Sequence, residues 1–134
     1  MDAIDLERTY RQYLAHLDER RFDALDAFVH DHVTYNGHPM SRQQYADHIA
    51  ASTDAAPDLR FDAEVLVVQG DLVASRLAFD CTPVATFLGR RPTGERVRFA
   101  EHVFYSFENG RIRQVWSLLD EGAVADQLRP PNSL

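Results

Sequence analysis

The first half of the chain carries its apolar residues at the spacing of helices. Between Leu6 and Leu17 they recur every three or four positions, with charged and amide side chains between them. This spacing predicts an amphipathic helix. A second, shorter helix is predicted from Phe22. A third is predicted after Ser41, because Gln44 three residues later completes the pattern of a capping box.

The second half of the chain alternates with a period of two, which is the spacing of β-strands. The change comes after Pro57, and turn signals at 69–71 and 108–110 divide the apolar runs into hairpins. Helices followed by antiparallel strands predict an α+β fold. No linker interrupts the chain, so we expect one domain over residues 1–134.

Composition narrows the class of partner. The 134 residues carry a formal net charge of −7, which argues against nucleic acid because neutralising phosphates requires a basic face. No apolar run approaches the ~20 residues that span a bilayer, and the acidic, amphipathic start is unlike a signal peptide. We therefore expect a cytoplasmic protein that binds a small molecule or a second copy of itself, and neither nucleic acid nor a membrane.

The sequence contains no pattern typical of a metal or cofactor site. Cys81 is the single cysteine, which excludes an internal disulfide and a multi-cysteine zinc site. His30 and His32 flank an aspartate, but no third ligand follows at helical or hairpin spacing. No phosphate loop or dinucleotide fingerprint is present. We expect neither a metal nor a cofactor.

The last hairpin ends on a carboxylate, Asp120, after an aromatic and largely apolar strand. A three-residue turn at 108–110 would pair His102 with Trp116, on one face with Asp120. A two-residue turn would shift the pairing by one and put His102 on the opposite face. Asp120 shares a face with Trp116 and Gln114 in either case, because that depends only on the period of two within one strand.

Three stretches of the second half resemble motifs of the SnoaL-like polyketide cyclases, or ester cyclases, of the nuclear transport factor 2-like superfamily. They are GDLVASRLAF, TFLGRRPTGERVRF and FENGRIRQVWSLLD. The resemblance extends more weakly over the N-terminal helices. It implies a cone-shaped, curved antiparallel sheet wrapped around those helices, with an apolar cavity and a homodimer through the outer sheet face. Gln114 departs from the glutamate that the family usually has there.

The resemblance also implies ring closure by intramolecular aldol condensation without a cofactor, with an aspartate as acid/base and often a histidine. Such chemistry requires a base for the proton next to a carbonyl and a donor for the resulting oxyanion. We expect Asp120 to be the base, its pKa raised by burial, and His102 to be the donor. The expected substrate-binding residues are Trp116, Gln114, Tyr35, Phe104, Leu118, Tyr13, Phe87, Arg76 and His38.

Each candidate has a plainer interpretation. Aspartate is a favoured N-cap, so Asp120 could simply cap the helix that follows it. His102 could be an ordinary strand histidine, and Arg76 could pair with Asp80 or Glu101.

Three functions stay open at this point, and we favour the first. It is a cyclase or isomerase that acts next to a carbonyl of a polyketide-like substrate. The second is a water-activating hydrolase on the same scaffold. The third is a non-catalytic module that binds a small apolar ligand or serves as an accessory dimer.

Overall fold

Over residues 1–130, the computed structural model of the protein contains three α-helices, a 3₁₀ segment and six β-strands. The helices are α1 (Ala3–Asp18), α2 (Arg42–Ala55) and α3 (Glu121–Gln127), and the 3₁₀ segment is Phe22–Ala27. The strands are β1 (Val29–Tyr35), β2 (His38–Ser41), β3 (Asp62–Gln69), β4 (Leu72–Cys81), β5 (Val97–Glu108) and β6 (Arg111–Leu119). Residues 131–134, which the single-domain prediction includes, lie outside the described residues.

The six strands within residues 1–130 form one sheet in the order β2-β1-β6-β5-β4-β3. The β3–β4 and β5–β6 hairpins pair antiparallel, as predicted. The neighbours β1 and β2, and β4 and β5, are also antiparallel. β1, however, runs parallel to β6, so the prediction of a wholly antiparallel sheet is wrong. Hairpin periodicity gave no information on this pair, because the two strands are separated by most of the chain and share no turn.

The two long helices pack on one face of the sheet and bury the apolar positions that the periodicity marks. α1 buries one stripe of apolar side chains along its length. α2 begins with the predicted capping box between Ser41 and Gln44. The buried residues of α1 are Leu6, Tyr10, Tyr13, Leu14 and Leu17. On β5 the residues that face these helices are at the odd positions, and those at the even positions form the outer face of the sheet. The inner face of the sheet is therefore the one that the helices cover.

β5 and β6 are joined by a two-residue turn. Asn109 and Gly110 have φ of 52° and 78°, the left-handed conformation that a type I′ hairpin turn requires at both central positions. Glu108 pairs with Arg111 across this turn. The three-residue turn considered from the sequence is therefore wrong.

A bulge at Arg113 then changes the register of this hairpin. Phe107 pairs with Ile112 and Ser106 with Gln114, which leaves Arg113 without a partner in the ladder. An unpaired residue in one strand shifts all later pairs by one. His102 consequently shares a face with its partner Leu118, although the turn alone would separate them, and that face is the outer one.

Candidate active site

A cavity lies between α1, α2 and the inner face of the sheet. Its volume is about 70 Å³, several times the ~10–15 Å³ that one water molecule requires. Most of its wall is aromatic or aliphatic. The polar side chains in the wall are Tyr13, Tyr35, Tyr45, His48, Ser52, Glu101 and Tyr105. Among the described residues that line the cavity, Glu101 is the only carboxylate.

Glu101 is held on the inner face of β5, between two leucines. It pairs with Leu77 on β4 and with Leu119 on β6. The hydroxyl of Ser117 donates a hydrogen bond to its Oε2. Burial raises the pKa of Glu101 above the ordinary value of a glutamate, and the Ser117 hydrogen bond only partly opposes this. A carboxylate with a raised pKa is a stronger base, so Glu101 is suited to taking a proton from a bound molecule.

Asn36 fixes the position of Ser117. Its Oδ1 accepts a hydrogen bond of 2.7 Å from the Ser117 backbone N–H, and its Nδ2 donates one of 3.1 Å to the Ser117 carbonyl oxygen. Asn36 has a φ of 47° at the turn that ends β1, where asparagine is well tolerated. Its side chain thus continues the pairing of β1 with β6 past the end of β1, which holds Ser117 against Glu101.

Two tyrosines of the wall are hydrogen-bonded to each other. The hydroxyl oxygens of Tyr13 on α1 and Tyr45 on α2 lie 2.6 Å apart, and either can be the donor. Both side chains are buried. Burial raises the pKa of both hydroxyls far above the ordinary tyrosine value, so they stay protonated at any physiological pH.

Three of the predicted binding residues line the cavity, namely Tyr13, Tyr35 and Phe87. Phe87 belongs to the connection between β4 and β5, where its backbone N–H and carbonyl exchange hydrogen bonds of 2.8 and 2.9 Å with Arg90. This tight turn buries the Phe87 ring against Phe99, with ring centroids 5.8 Å apart. The glycine- and proline-punctuated connection therefore supplies one wall of the cavity.

The aromatic cluster predicted around Asp120 lies on the outer face of the sheet. Phe104, Trp116 and Leu118 are 54%, 39% and 74% exposed. His102 is on the same face, where its Nε2 lies 2.6 Å from Nη1 of Arg76. None of these residues lines the cavity, because the helices cover the opposite face of the sheet.

Asp120 is exposed and caps α3. Its Oδ1 accepts a hydrogen bond of 3.0 Å from the backbone N–H of Ala123. The side chain borders an open groove on the outer face together with Arg76 and His102, and does not line the cavity. The expected burial against Trp116 is wrong, and the plainer interpretation of Asp120 as an N-cap is confirmed. The groove brings Asp120 and His102 together, but neither lines the cavity, and their catalytic roles stay predictions.

The other three predicted binding residues also lie outside the cavity. Arg76 forms a 3.0 Å ion pair with Glu64 on the outer face, and not with either acid considered from the sequence. Gln114 pairs with Ser106 next to the bulge, and His38 is exposed at the start of β2. None of the three lines the cavity.

Sequence reasoning missed Glu101, Ser117 and Tyr45. A usable signal was present for Glu101, which is the one charged residue in the odd-numbered series of β5. The rest of that series is Val97, Phe99, Val103, Tyr105 and Phe107. A carboxylate in an otherwise apolar series is predicted to be buried. Burying a carboxylate lowers the stability of the fold unless it has a partner, so such a residue is a candidate for function.

The described part of the chain shows neither a membrane-spanning helix nor a cluster of metal ligands. None of its helices is long and apolar enough to cross a membrane. Within the same residues, no group of three or more histidine, cysteine, aspartate and glutamate side chains is arranged to hold a metal ion.

The raised pKa of Glu101 predicts a pH-dependent gain in stability for Glu101→Gln. The folded protein binds this proton more tightly than the unfolded chain, so the contribution of Glu101 to stability is lost as pH rises from ~4.3 through the raised pKa. We expect Glu101→Gln to raise the free energy of unfolding at pH 7 and to leave it unchanged below about pH 4. Urea unfolding at both pH values measures the difference.

The matched control is Glu95→Gln, the same change at an exposed position. It should alter stability little at either pH. A Glu101→Gln protein that is less stable than the wild type at pH 7 would contradict the prediction.

Residues 7–128 match the family model described as SnoaL-like polyketide cyclase. A solved SnoaL-like polyketide cyclase from Agrobacterium tumefaciens is 46% identical, over 92% of this chain and 97% of its own, with a TM-score of 0.86. TsrD from Streptomyces laurentii, at 22% identity over 96% and 98%, has a TM-score of 0.87 and supports the fold alone. No curated protein matches the chain. The two structures confirm the predicted class, an α+β fold with a curved sheet around N-terminal helices.

Proposed function

The chain belongs to the SnoaL-like polyketide cyclase family, and from this premise we propose that it is a cofactor-independent enzyme whose base is Glu101. The reaction is removal of a proton from a carbon next to a carbonyl, followed by aldol ring closure or isomerisation. The observation that carries the proposal is the position of Glu101, the one carboxylate among the described residues that line the cavity.

Glu101 can supply both proton transfers of an aldol cyclisation. Its carboxylate takes the proton from the α-carbon, and the electron pair of that C–H bond moves to the carbonyl oxygen as an enolate. The enolate carbon then forms a bond with a second carbonyl carbon of the same molecule, whose oxygen becomes an alkoxide. The protonated Glu101 returns its proton to this alkoxide, which regenerates the carboxylate.

The wall of the cavity indicates the class of substrate. Aromatic rings from α1, α2, β1 and the connection between β4 and β5 line the cavity together with Glu101. A flat, mostly apolar molecule with few carbonyl groups would exclude water from such a wall and leave no charged group unpaired. A polyketide-like ring precursor fits this description.

A water-activating hydrolase has less support. The second acid and the arginine expected beside its base are not among the described residues that line the cavity. A single carboxylate with a raised pKa is sufficient for proton abstraction, and it is the simpler assignment.

The outer face of the sheet is proposed as the surface where a second copy of the chain packs. Large apolar side chains from four adjacent strands are exposed on it, namely Val65, Val67, Leu72, Phe104, Trp116 and Leu118. An exposed apolar patch of this kind is typical of an interaction surface. A two-fold contact of the patch with itself would cover these side chains on both copies.

Exchange of α-protons with solvent tests the proposed reaction without knowledge of the natural substrate. The bicyclic ketone 2-tetralone serves as a probe, and loss of its α-proton signal in D₂O is followed by NMR. We expect the wild-type protein to accelerate the exchange. The rate should rise with pH, with the midpoint of the rise above ~4.3, because only the deprotonated form of Glu101 is a base and its pKa is raised. Glu95→Gln should behave as the wild type. Exchange no faster than in buffer, from a protein that binds the probe, would favour the non-catalytic module.

A further inference from the structure

The hydroxyl pair of Tyr13 and Tyr45 has one hydrogen that the protein does not use. Two hydroxyls carry two hydrogens, and their mutual hydrogen bond of 2.6 Å engages one of them. Among the residues that the structure describes, this is the only hydrogen bond that either hydroxyl makes. Both residues line the cavity. The second hydrogen is therefore free for an acceptor in the cavity, whichever tyrosine donates to the other.

The pair is held rigidly from two helices. The ring of Tyr13 packs edge-on against Phe28 and Tyr105, with centroids 6.3 and 6.0 Å away. The ring of Tyr45 lies 6.2 Å from that of Tyr35 on β1. Donors that are fixed before the reaction stabilise a developing charge without reorganisation, and they do so most strongly where water is excluded.

Proton abstraction by Glu101 creates a need for such a donor. The carboxylate becomes neutral when it takes the α-proton, and the negative charge moves to the oxygen of the substrate. The cavity thus holds one negative charge before and after this step, at two different places. A hydrogen-bond donor that faces the substrate oxygen lowers the barrier to this step. A base at that position would compete with Glu101 for the proton. Protonated tyrosines donate a hydrogen bond and are not bases.

From this arrangement we infer that Tyr13 and Tyr45 form a donor pair that binds the enolate oxygen generated by Glu101. The substrate is then a carbonyl compound that places its oxygen on the hydroxyl pair and its α-carbon on Glu101. This inference rests on the proposed function, since the enolate exists only if Glu101 acts as the base.

Binding of 4-nitrophenol to the Glu101→Gln protein tests the pair directly. Glutamine imitates the protonated Glu101, and the nitrophenolate imitates the enolate. We expect the probe to bind as the phenolate, which its visible absorbance reports. Removing both hydroxyls with Tyr13→Phe and Tyr45→Phe should weaken phenolate binding by about 10- to 100-fold, the usual effect of a hydrogen bond to a charged group.

Two controls separate a lost donor from a damaged cavity. Nitrobenzene, which lacks the phenolate oxygen, should bind equally to the proteins with and without the hydroxyl pair. Tyr10→Phe removes the same group from a buried tyrosine of α1 that does not line the cavity, and it should leave phenolate binding unchanged.

Equal phenolate affinity without the hydroxyl pair, binding of the neutral phenol alone, or no binding at all would overturn the inference. These outcomes leave the role of Glu101 standing, because α-proton exchange tests it separately. Absence of exchange in the wild type together with pair-dependent phenolate binding would remove the proposed reaction and keep the donor pair as an anion site.

Discussion

Glu101→Gln is expected to slow α-proton exchange of 2-tetralone by about 10²- to 10⁴-fold, the usual contribution of a positioned base. Glutamine keeps the shape of the side chain, and its carbonyl oxygen can still accept the hydrogen bond from Ser117. It cannot take a proton. Because the same change is expected to stabilise the fold at pH 7, the loss of rate cannot be attributed to unfolding. Initial rates of exchange by NMR, at equal bound fractions of probe, measure the effect.

Asp120→Asn is the decisive comparison for this experiment. Asparagine is as good an N-cap as aspartate, so α3 should keep its start and the rate of exchange should stay at the wild-type value. Glu101→Asp retains the carboxylate but shortens its reach by one methylene, and we expect an intermediate rate. The opposite pattern, with activity lost in Asp120→Asn and kept in Glu101→Gln, would restore the catalytic role that the sequence suggested for Asp120.

Leu118→Glu is expected to convert the protein from a dimer to a monomer. The wild-type chain should migrate at twice its mass of 15.3 kDa, because pairing of two outer faces covers their exposed apolar side chains. Leu118 is the most exposed of these residues, so a carboxylate there costs the isolated chain little. In the dimer it would be buried without a partner, at several kcal/mol. Light scattering after size-exclusion chromatography measures the molar mass of each protein.

Val84→Glu provides the matched control. Val84 is 64% exposed and lies in the connection that follows β4, where its backbone N–H donates a hydrogen bond to the carbonyl of Ala55 at the end of α2. The same change at this position should leave the mass of the dimer unchanged. A wild-type protein of monomer mass at all concentrations, or dissociation by both variants, would contradict the proposed surface.

Local signals predicted α1, α2 with its capping box, and the β3–β4 and β5–β6 hairpins, because these depend on residues a few positions apart. The helix predicted from Phe22 is instead a 3₁₀ segment that ends at Ala27. The pairing of β1 with β6 was not predictable in this way, since it joins distant segments. From the sequence, a three-residue turn would put His102 on the same face as Trp116. In the structure the two residues do share a face, but through a two-residue turn followed by a bulge. A bulge has no strong signal in a single sequence, because one unpaired residue leaves the apolar alternation intact on either side.

The cavity that we propose as the site lies on the face opposite to the predicted one, for a related reason. Alternation divides a strand into two sets of residues but does not say which set is covered by helices. On β6, the aromatic Trp116 favoured the face of the even-numbered residues. On β5, the odd-numbered residues are the more apolar ones, and they include Glu101. Comparing both strands of the hairpin, and not the ending of one, would have favoured the inner face.

The bulge at Arg113 bears on how related chains are aligned with this one. Loss of the unpaired residue would close the ladder into a regular hairpin and leave Val115 and Ser117 facing inward as they do now. A one-residue gap further along β6 would instead exchange the inward and outward side chains beyond it. A gap at the bulge is therefore compatible with an unchanged cavity, whereas a gap between 115 and 119 indicates a different one.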